Sequence, residues 1–198
     1  MIMLNTKKNL VLSVAVMGLA LGSSSSAMAN IVTDGNFADG ANFGTNWNPS
    51  GSFLGVESGN HPDGAIQTDV YMGTVGGLGN ISQSLATNAG TAYHISFDLS
   101  HPSGSQPSEF QALFGSNLLI DIAPVGSFGY THYSFTSLSN GLSTLLHFNE
   151  REDPSYMYLT NVSVSAVPLP ASVQMFGLGL LGLVGFAYYN RRKNGFVA

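Results

Sequence analysis

Apolar and polar residues alternate through the middle of this chain. Tyr93, Ile95, Phe97 and Leu99 are separated by His94, Ser96 and Asp98. A period of two puts one side of a strand in a core and leaves the other side outside. Tyr133 and Phe135 alternate in the same way with His132 and Ser134, and Leu146 and Phe148 flank His147. Ile95, Phe97, Tyr133, Phe135, Leu146 and Phe148 are therefore expected in the core. Further strands are expected over 31–33, 52–57, 65–71, 79–85, 109–114, 118–122 and 157–164. In the last of these the alternation slips near Thr160-Asn161, which predicts a bulge. Turn-forming residues separate the runs: Asp39-Gly40, Pro49-Ser50-Gly51, Pro62-Asp63-Gly64, Asn88-Ala89-Gly90 and Asn140-Gly141. No stretch of 30–166 has the period of an amphipathic helix. Short strands with frequent turns predict an all-β, antiparallel β-sandwich.

The two ends have a different pattern. Lys7 and Lys8 precede an apolar run over 10–21, and Ala27-Met28-Ala29 is a small-x-small cleavage site. Residues 1–29 read as a secretory signal peptide, with the mature chain starting at Asn30. At the other end an apolar run over 171–189 carries no formal charge and is followed by Arg191, Arg192 and Lys193. A helix over that run would be about 28 Å long, close to the hydrocarbon thickness of a bilayer. Gln174 sits near its entry, and Tyr188 and Tyr189 at its exit suit the headgroup layer. The basic stop (Arg191, Arg192, Lys193) and the rest of 190–198 are expected to stay cytoplasmic. Gly179, Gly182 and Gly185 form a small-residue stripe, but not at the spacing of four that marks helix dimers.

This division changes the electrostatics. The chain has 6 Lys plus Arg, 11 Asp plus Glu and a formal charge of -5. Every acid lies in 30–166, whereas Arg151 is the only Lys or Arg there. The middle is therefore strongly acidic, which excludes nucleic acid as a partner, because phosphates need Lys and Arg. It equally disfavours docking on anionic lipid. There is no cysteine, so disulfides, thiolate metal sites and cysteine nucleophiles are excluded. A domain of this length has enough core to hold itself together.

Candidate chemistry is sparse. His61, His94, His101, His132 and His147 form no metal-ligand pair in sequence; His94, His132 and His147 fall on outward strand positions. Glu150, Glu152 and Asp153 cluster with Arg151 before Pro154. Glycoside hydrolysis needs two carboxyls at a set separation in a cleft, and adjacent acids before a proline read instead as an exposed loop. Asp34 and Asp39 lie among Gly and Asn, where oxygen-rich loops hold calcium in some proteins, but without EF-hand spacing. The Gly73–Gly79 stretch lacks the residues of a phosphate loop. No Gly-x-Ser-x-Gly elbow occurs. Trp47, the sole tryptophan, sits between Asn46 and Asn48. An aromatic ring flanked by amides suits a sugar, whose apolar face stacks while its hydroxyls hydrogen-bond; the plain alternative is that Trp47 plugs one end of the sandwich. Tyr71, Tyr130 and Tyr156 are weaker candidates of the same kind.

Two resemblances add to this. The stretch Val167-Pro168-Leu169-Pro170-Ala171, the Gly/Leu-rich run and the basic end together resemble a PEP-CTERM sorting signal, in the variant with Leu where Glu is usual. That resemblance implies an exosortase that recognises Val167, Pro168, Leu169, Pro170 and Ala171 and cleaves near them. It also implies transient anchoring in the inner membrane and a final place at the cell surface or in the extracellular matrix. The second lies in Asn30-Ile31-Val32-Thr33-Asp34-Gly35-Asn36-Phe37, 81–85, 93–99 and 158–164, which resemble the galactose-binding-like jelly roll of carbohydrate-binding modules. Members often hold a structural calcium through an acid after the opening Phe and an Asp before the final Asn-Val. Here those positions are Ala38 and Thr160, so no cofactor is expected, and Asp34 and Asp39 are only weak calcium candidates.

The domains expected are thus a signal peptide at 1–29, a β-sandwich at 30–166 and a sorting signal at 167–198. The function expected first is a non-enzymatic, exported surface or matrix protein. A carbohydrate-binding module for exopolysaccharide is the alternative, and a glycoside-active enzyme comes third.

Overall fold

The ten strands found among the described residues are β1 (Asn48–Ser50), β2 (Leu54–Asn60), β3 (Ile66–Met72), β4 (Gly79–Ala86), β5 (Ala92–His101), β6 (Ser108–Phe114), β7 (Asn117–Ile122), β8 (Phe128–Leu138), β9 (Ser143–Glu152) and β10 (Met157–Ala166). They come from a computed structural model that describes residues 28–60, 66–168 and 171–194. The strands form two five-stranded sheets, in the orders β1-β4-β9-β6-β7 and β2-β3-β10-β5-β8. Every pairing is antiparallel, and the two sheets make a jelly-roll sandwich. All ten belong to one of two units of the chain, Ala27–Leu169.

The alternation works as expected. Ile95, Phe97, Leu146 and Phe148 are fully buried, while Tyr133 and Phe135 are half-buried and pack against the core. Phe97 is central: its ring lies 5.1 Å from Phe148, 5.4 Å from Tyr133 and 5.8 Å from Phe110. The bulge near Thr160 is present, as a register shift between Thr160 and Ser163 where β10 meets β5.

Some expectations need correction. Residues 31–33 are not a strand. Asn30 Oδ1 accepts from the N–H groups of Val32 and Val164, so a side chain occupies positions a ladder would use. Only Ile31 N–H bonds directly to Val164 O, at 2.8 Å. Pro49 and Ser50, expected in a turn, belong to β1. Between Asp39 and Trp47 the chain makes a 3-10 turn (Gly40–Asn42) and the single-turn helix α1 (Phe43–Asn46), which buries Phe43.

The other unit includes α2 (Ala171–Asn194), which runs past the expected end at 189 and through Arg191. Met175, Phe176, Leu181, Leu183, Val184 and Phe186 are all exposed on it. Among the described residues no helix is long and apolar enough to cross a membrane. The run is diluted by Ser172, Gln174, four glycines and two tyrosines. Residues 1–27, which hold most of the expected signal peptide and Ala27, lie outside the described residues, as do His61, Leu169 and Pro170. Ala29 is described and exposed. Val167 is the last residue bonded to the sheet, through its N–H to Ala92 O at 2.8 Å; Pro168 beyond it is exposed.

Candidate functional site

The outer side of the first sheet carries the most regular polar arrangement in the molecule. Register places Ser50, Asn80, Asn149, Gln111 and Asp121 side by side on β1, β4, β9, β6 and β7. Four interstrand steps make this row about 19 Å long. Three of its members, Asn149, Gln111 and Asp121, are aligned by hydrogen bonds. Asn149 Nδ2 donates to Gln111 Oε1 at 3.1 Å, and Gln111 Nε2 donates to Glu109 Oε1 at 2.8 Å and Asp121 Oδ2 at 3.3 Å. Beside it runs a second row of Asn48, Ser82 and His147. Burial pushes the His147 imidazole below its ordinary value, which keeps it neutral at neutral pH, with one nitrogen to donate and one to accept.

The β1 edge of this surface dips into a depression of about 390 Å³ lined in part by Asn46, Asn48, Ser82 and Ser84. The structure thus brings together two of the residues singled out around Trp47. It does not bring the ring. Trp47 is 1% exposed, packed 5.3 Å from Phe37 and 6.3 Å from Phe148, and its indole N–H donates to Asp34 O at 3.2 Å. The expectation of a stacking platform at Trp47 is corrected: at the end of α1 the side chain turns into the core, where its area is worth most. Trp47→Ala should cost about 3–5 kcal/mol, read as a large fall in thermal midpoint.

The acids before Pro154 are also not where the sequence put them. β9 runs through Glu152, so its inward positions include Glu150 and Glu152, both fully buried. Thr74 N–H donates to both carboxylate oxygens of Glu150 at 3.1 Å. Burial raises the Glu150 carboxyl above its ordinary range, Thr74 partly offsets this, and the charges of Glu152 and Asp153 add to it. His101 Nδ1 lies 3.0 Å from Gly126 O and so must donate to it, while its Nε2 is 2.8 Å from Glu152 Oε2. One proton lies between that last pair, since two bare lone pairs at this distance would repel. Arg151 points the other way and clasps Asp153 Oδ2 at 2.9 Å. The two glutamates line the interior of one end of the sandwich. A sugar cannot reach them, so this is not an open carboxylate pair.

The weak calcium candidates, Asp34 and Asp39, bond within their own loop. Asp34 Oδ1 accepts the Asp39 N–H at 3.2 Å, and both Asp39 oxygens accept from Asn42 Nδ2 at 2.9 Å. Among the described residues no group of three or more His, Asp or Glu is arranged to hold a metal. His94 and His132 share the outer side of the second sheet but serve different partners, Ser134 Oγ at 2.8 Å and Asp98 Oδ1 at 2.6 Å.

No family model matches this chain, and no curated protein matches it in sequence. Solved structures match the fold. TmCBM61, a module solved with β-1,4-galactotriose, is similar at a TM-score of 0.55 and 10% identity, over 70% of this chain and 99% of that one. The CBM22-1-GH10 modules of the Clostridium thermocellum xylanase 10B, solved with xylohexaose, are similar at 0.51 and 11%, over 72% of this chain but 29% of that one. The enzymatically active domain of the bacteriophage CBA120 tailspike protein 4 is similar at 0.49 and 16%; this chain spans 21% of its length, and the likeness is too slight to bear on function. The sandwich has the fold of carbohydrate-binding modules.

Proposed function

We propose that residues 30–166 are a non-catalytic saccharide-binding domain that works through the outer side of the first sheet. The observation that carries this is the row Ser50, Asn80, Asn149, Gln111 and Asp121. Amides, a hydroxyl and a carboxylate, set side by side across five strands, offer the mixed donors and acceptors that a run of sugar hydroxyls requires. The fold likeness to a module solved with β-1,4-galactotriose supports the same reading. So does the acidic balance of 30–166, which favours neutral over anionic polymers. The depression at Asn46 and Asn48 lies beside the row, at the β1 edge. A glycan array on residues 30–166 tests this; failure of every neutral glycan to bind, or binding that survives loss of both Gln111 and Asn149, would remove it. Turnover of a polysaccharide that vanishes in Glu109→Gln would show the domain to be an enzyme instead.

The proposal extends to delivery. The chain is exported, loses 1–29, and is tethered at the membrane through 171–189 until an exosortase-type enzyme cuts at 167–171 and releases the domain to the surface or matrix. Pro168 and Pro170 disfavour helix in the residues before them, which suits a motif whose carbonyls a cleaving enzyme must reach. Mature masses from cells with and without the processing enzyme test this: an intact tail in normal cells would reduce the C-terminus to an anchor.

A further inference from the structure

The outer side of the second sheet is made of other materials. Where β2, β3 and β10 lie side by side, register sets Gly55 opposite Tyr71 and Tyr71 opposite Tyr158. One step along, Gly73 N–H donates to Phe53 O at 3.2 Å, and Tyr156 lies over Gly73 from the other flank. A Cβ on Gly73 would stand 2.6 Å from Cδ1 of Tyr156, and a Cβ on Gly55 would run into the Tyr71 hydroxyl. Two rows result, Phe53-Gly73-Tyr156 and Gly55-Tyr71-Tyr158, in which aromatic and glycine alternate between the first two chain segments and tyrosines fill the third.

Neither glycine is in the left-handed region, so backbone freedom does not account for them. A glycine inside a strand gives up about 0.5–1 kcal/mol relative to alanine, and here its bare backbone makes room for a neighbouring ring. The rings of Tyr71 and Tyr156 meet at 5.4 Å and 81°, a corner with one wall and one floor, and both stay half-exposed. Phe53 is 61% exposed and has φ of 54°. That conformation costs a bulky residue about 1–3 kcal/mol, and exposure means that burial does not offset it.

We propose that this corner is a second saccharide-binding surface, on which a neutral sugar stacks against Phe53, Tyr71 and Tyr156. The inference rests on reading the domain as a saccharide binder. A pyranose shows C–H bonds on its faces and hydroxyls at its rim. Rings take the first, and the tyrosine hydroxyls take the second. Anionic sugars are disfavoured. Glu57 is exposed on β2 beside the corner, and the one arginine of 30–166 lies on β9 of the other sheet. With hydrogen-bonding and stacking surfaces on opposite sheets, one domain holds two polysaccharide chains and cross-links them.

The test is calorimetric titration of the full-length chain with β-1,4-galactotriose and with xylohexaose, alongside light scattering of a neutral polysaccharide. Two sites per chain are expected. Tyr71→Ala should weaken one of them at least about tenfold, and Gln111→Ala the other. Phe53→Gly separates binding from stability: it relieves the backbone, so its thermal midpoint should rise while the stacking site weakens and cross-linking is lost. One site, untouched by Phe53→Gly and Tyr71→Ala but lost in Gln111→Ala, would overturn this surface and leave the first-sheet reading standing. No binding of either sugar would overturn both. A dimer abolished by Phe53→Gly, without a second sugar site, would assign the corner to self-association and overturn the proposal too.

Discussion

The two outer surfaces of the sandwich follow the same alternation and present opposite chemistry. On β9, the outward positions His147, Asn149 and Arg151 are separated by Phe148 and Glu150, and the neighbours of Asn149 on either side are amides. On β3, the outward Tyr71 is flanked by the buried Val70 and Met72, and its neighbours across the sheet are Gly55 and Tyr158. The first surface is organised by side chains bonding one another across strands; the second, by side chains lying over places where a neighbour has none. One kind of surface is specified residue by residue. The other is specified by pairs, because an aromatic without its glycine would stand up from the sheet, and a glycine without its aromatic would weaken the strand.

The comparison is broken most completely from the core, which both surfaces share. Phe97→Ala removes the ring that touches Phe110, Tyr133 and Phe148 and should cost about 3–5 kcal/mol, enough to unfold many domains of this size. Urea denaturation reads it, and both surfaces should be lost together. Gly73→Ala is more selective. The new methyl meets both Tyr156 and Ser155 O, and overpacking of this kind costs about 1–3 kcal/mol. The second surface should be distorted while the first keeps its binding; equal damage to both would show that the sheets do not act separately.

Acidity separates the two further. Because burial raises the folded-state carboxyl of Glu150, the folded protein holds a proton there that the unfolded chain has released. Its contribution is full below the ordinary carboxylate range and is lost as pH rises through the raised value. The slope is at most about 1.4 kcal/mol per pH unit for one proton. Glu150→Gln should flatten that part of the stability curve in a pH series of denaturation, with no effect on the tyrosine corner. A slope that persists in the variant would assign the proton elsewhere. The smallest effect expected is that of Gln111→Ala. It removes two cross-strand bonds and one within β6, at an accessible site, for about 1 kcal/mol of stability, yet it should weaken first-sheet binding at least about tenfold.

Much of the fold was legible in the sequence, and little of the site. Period two marks β5, β8 and β9 plainly, because each buries one side and wets the other. The acids of β9 misled for a physical reason. Glu150 and Glu152 keep the inward phase set by Leu146 and Phe148, but charge and a nearby proline resemble a loop, and only His101 and Thr74, distant in sequence, make their burial tolerable. Trp47 misled because the direction of a side chain at the end of a one-turn helix depends on Phe37 and Phe148, which no local pattern announces. The polar row and the aromatic-glycine rows were invisible for a third reason. They exist only once register is known, and register is set by the whole sheet. A trace of the second was present: Gly55 falls inside a strand, where a β-branched or aromatic residue is the usual choice.

β10 is the strand on which the sandwich would be pulled. It lies between β3 and β5, the Asn30 side chain is fastened to Val164 at its far half, and the chain leaves it at Val167, the last residue bonded to the sheet. A load applied from the C-terminal side therefore acts along the axis of an interior strand. Its hydrogen bonds to two neighbours are strained together, in shear, and none can open ahead of the rest as they would at a peeled edge. A domain caught between a tether and a polymer would meet that force through its most firmly held element, and Asn30 would be one of the pins.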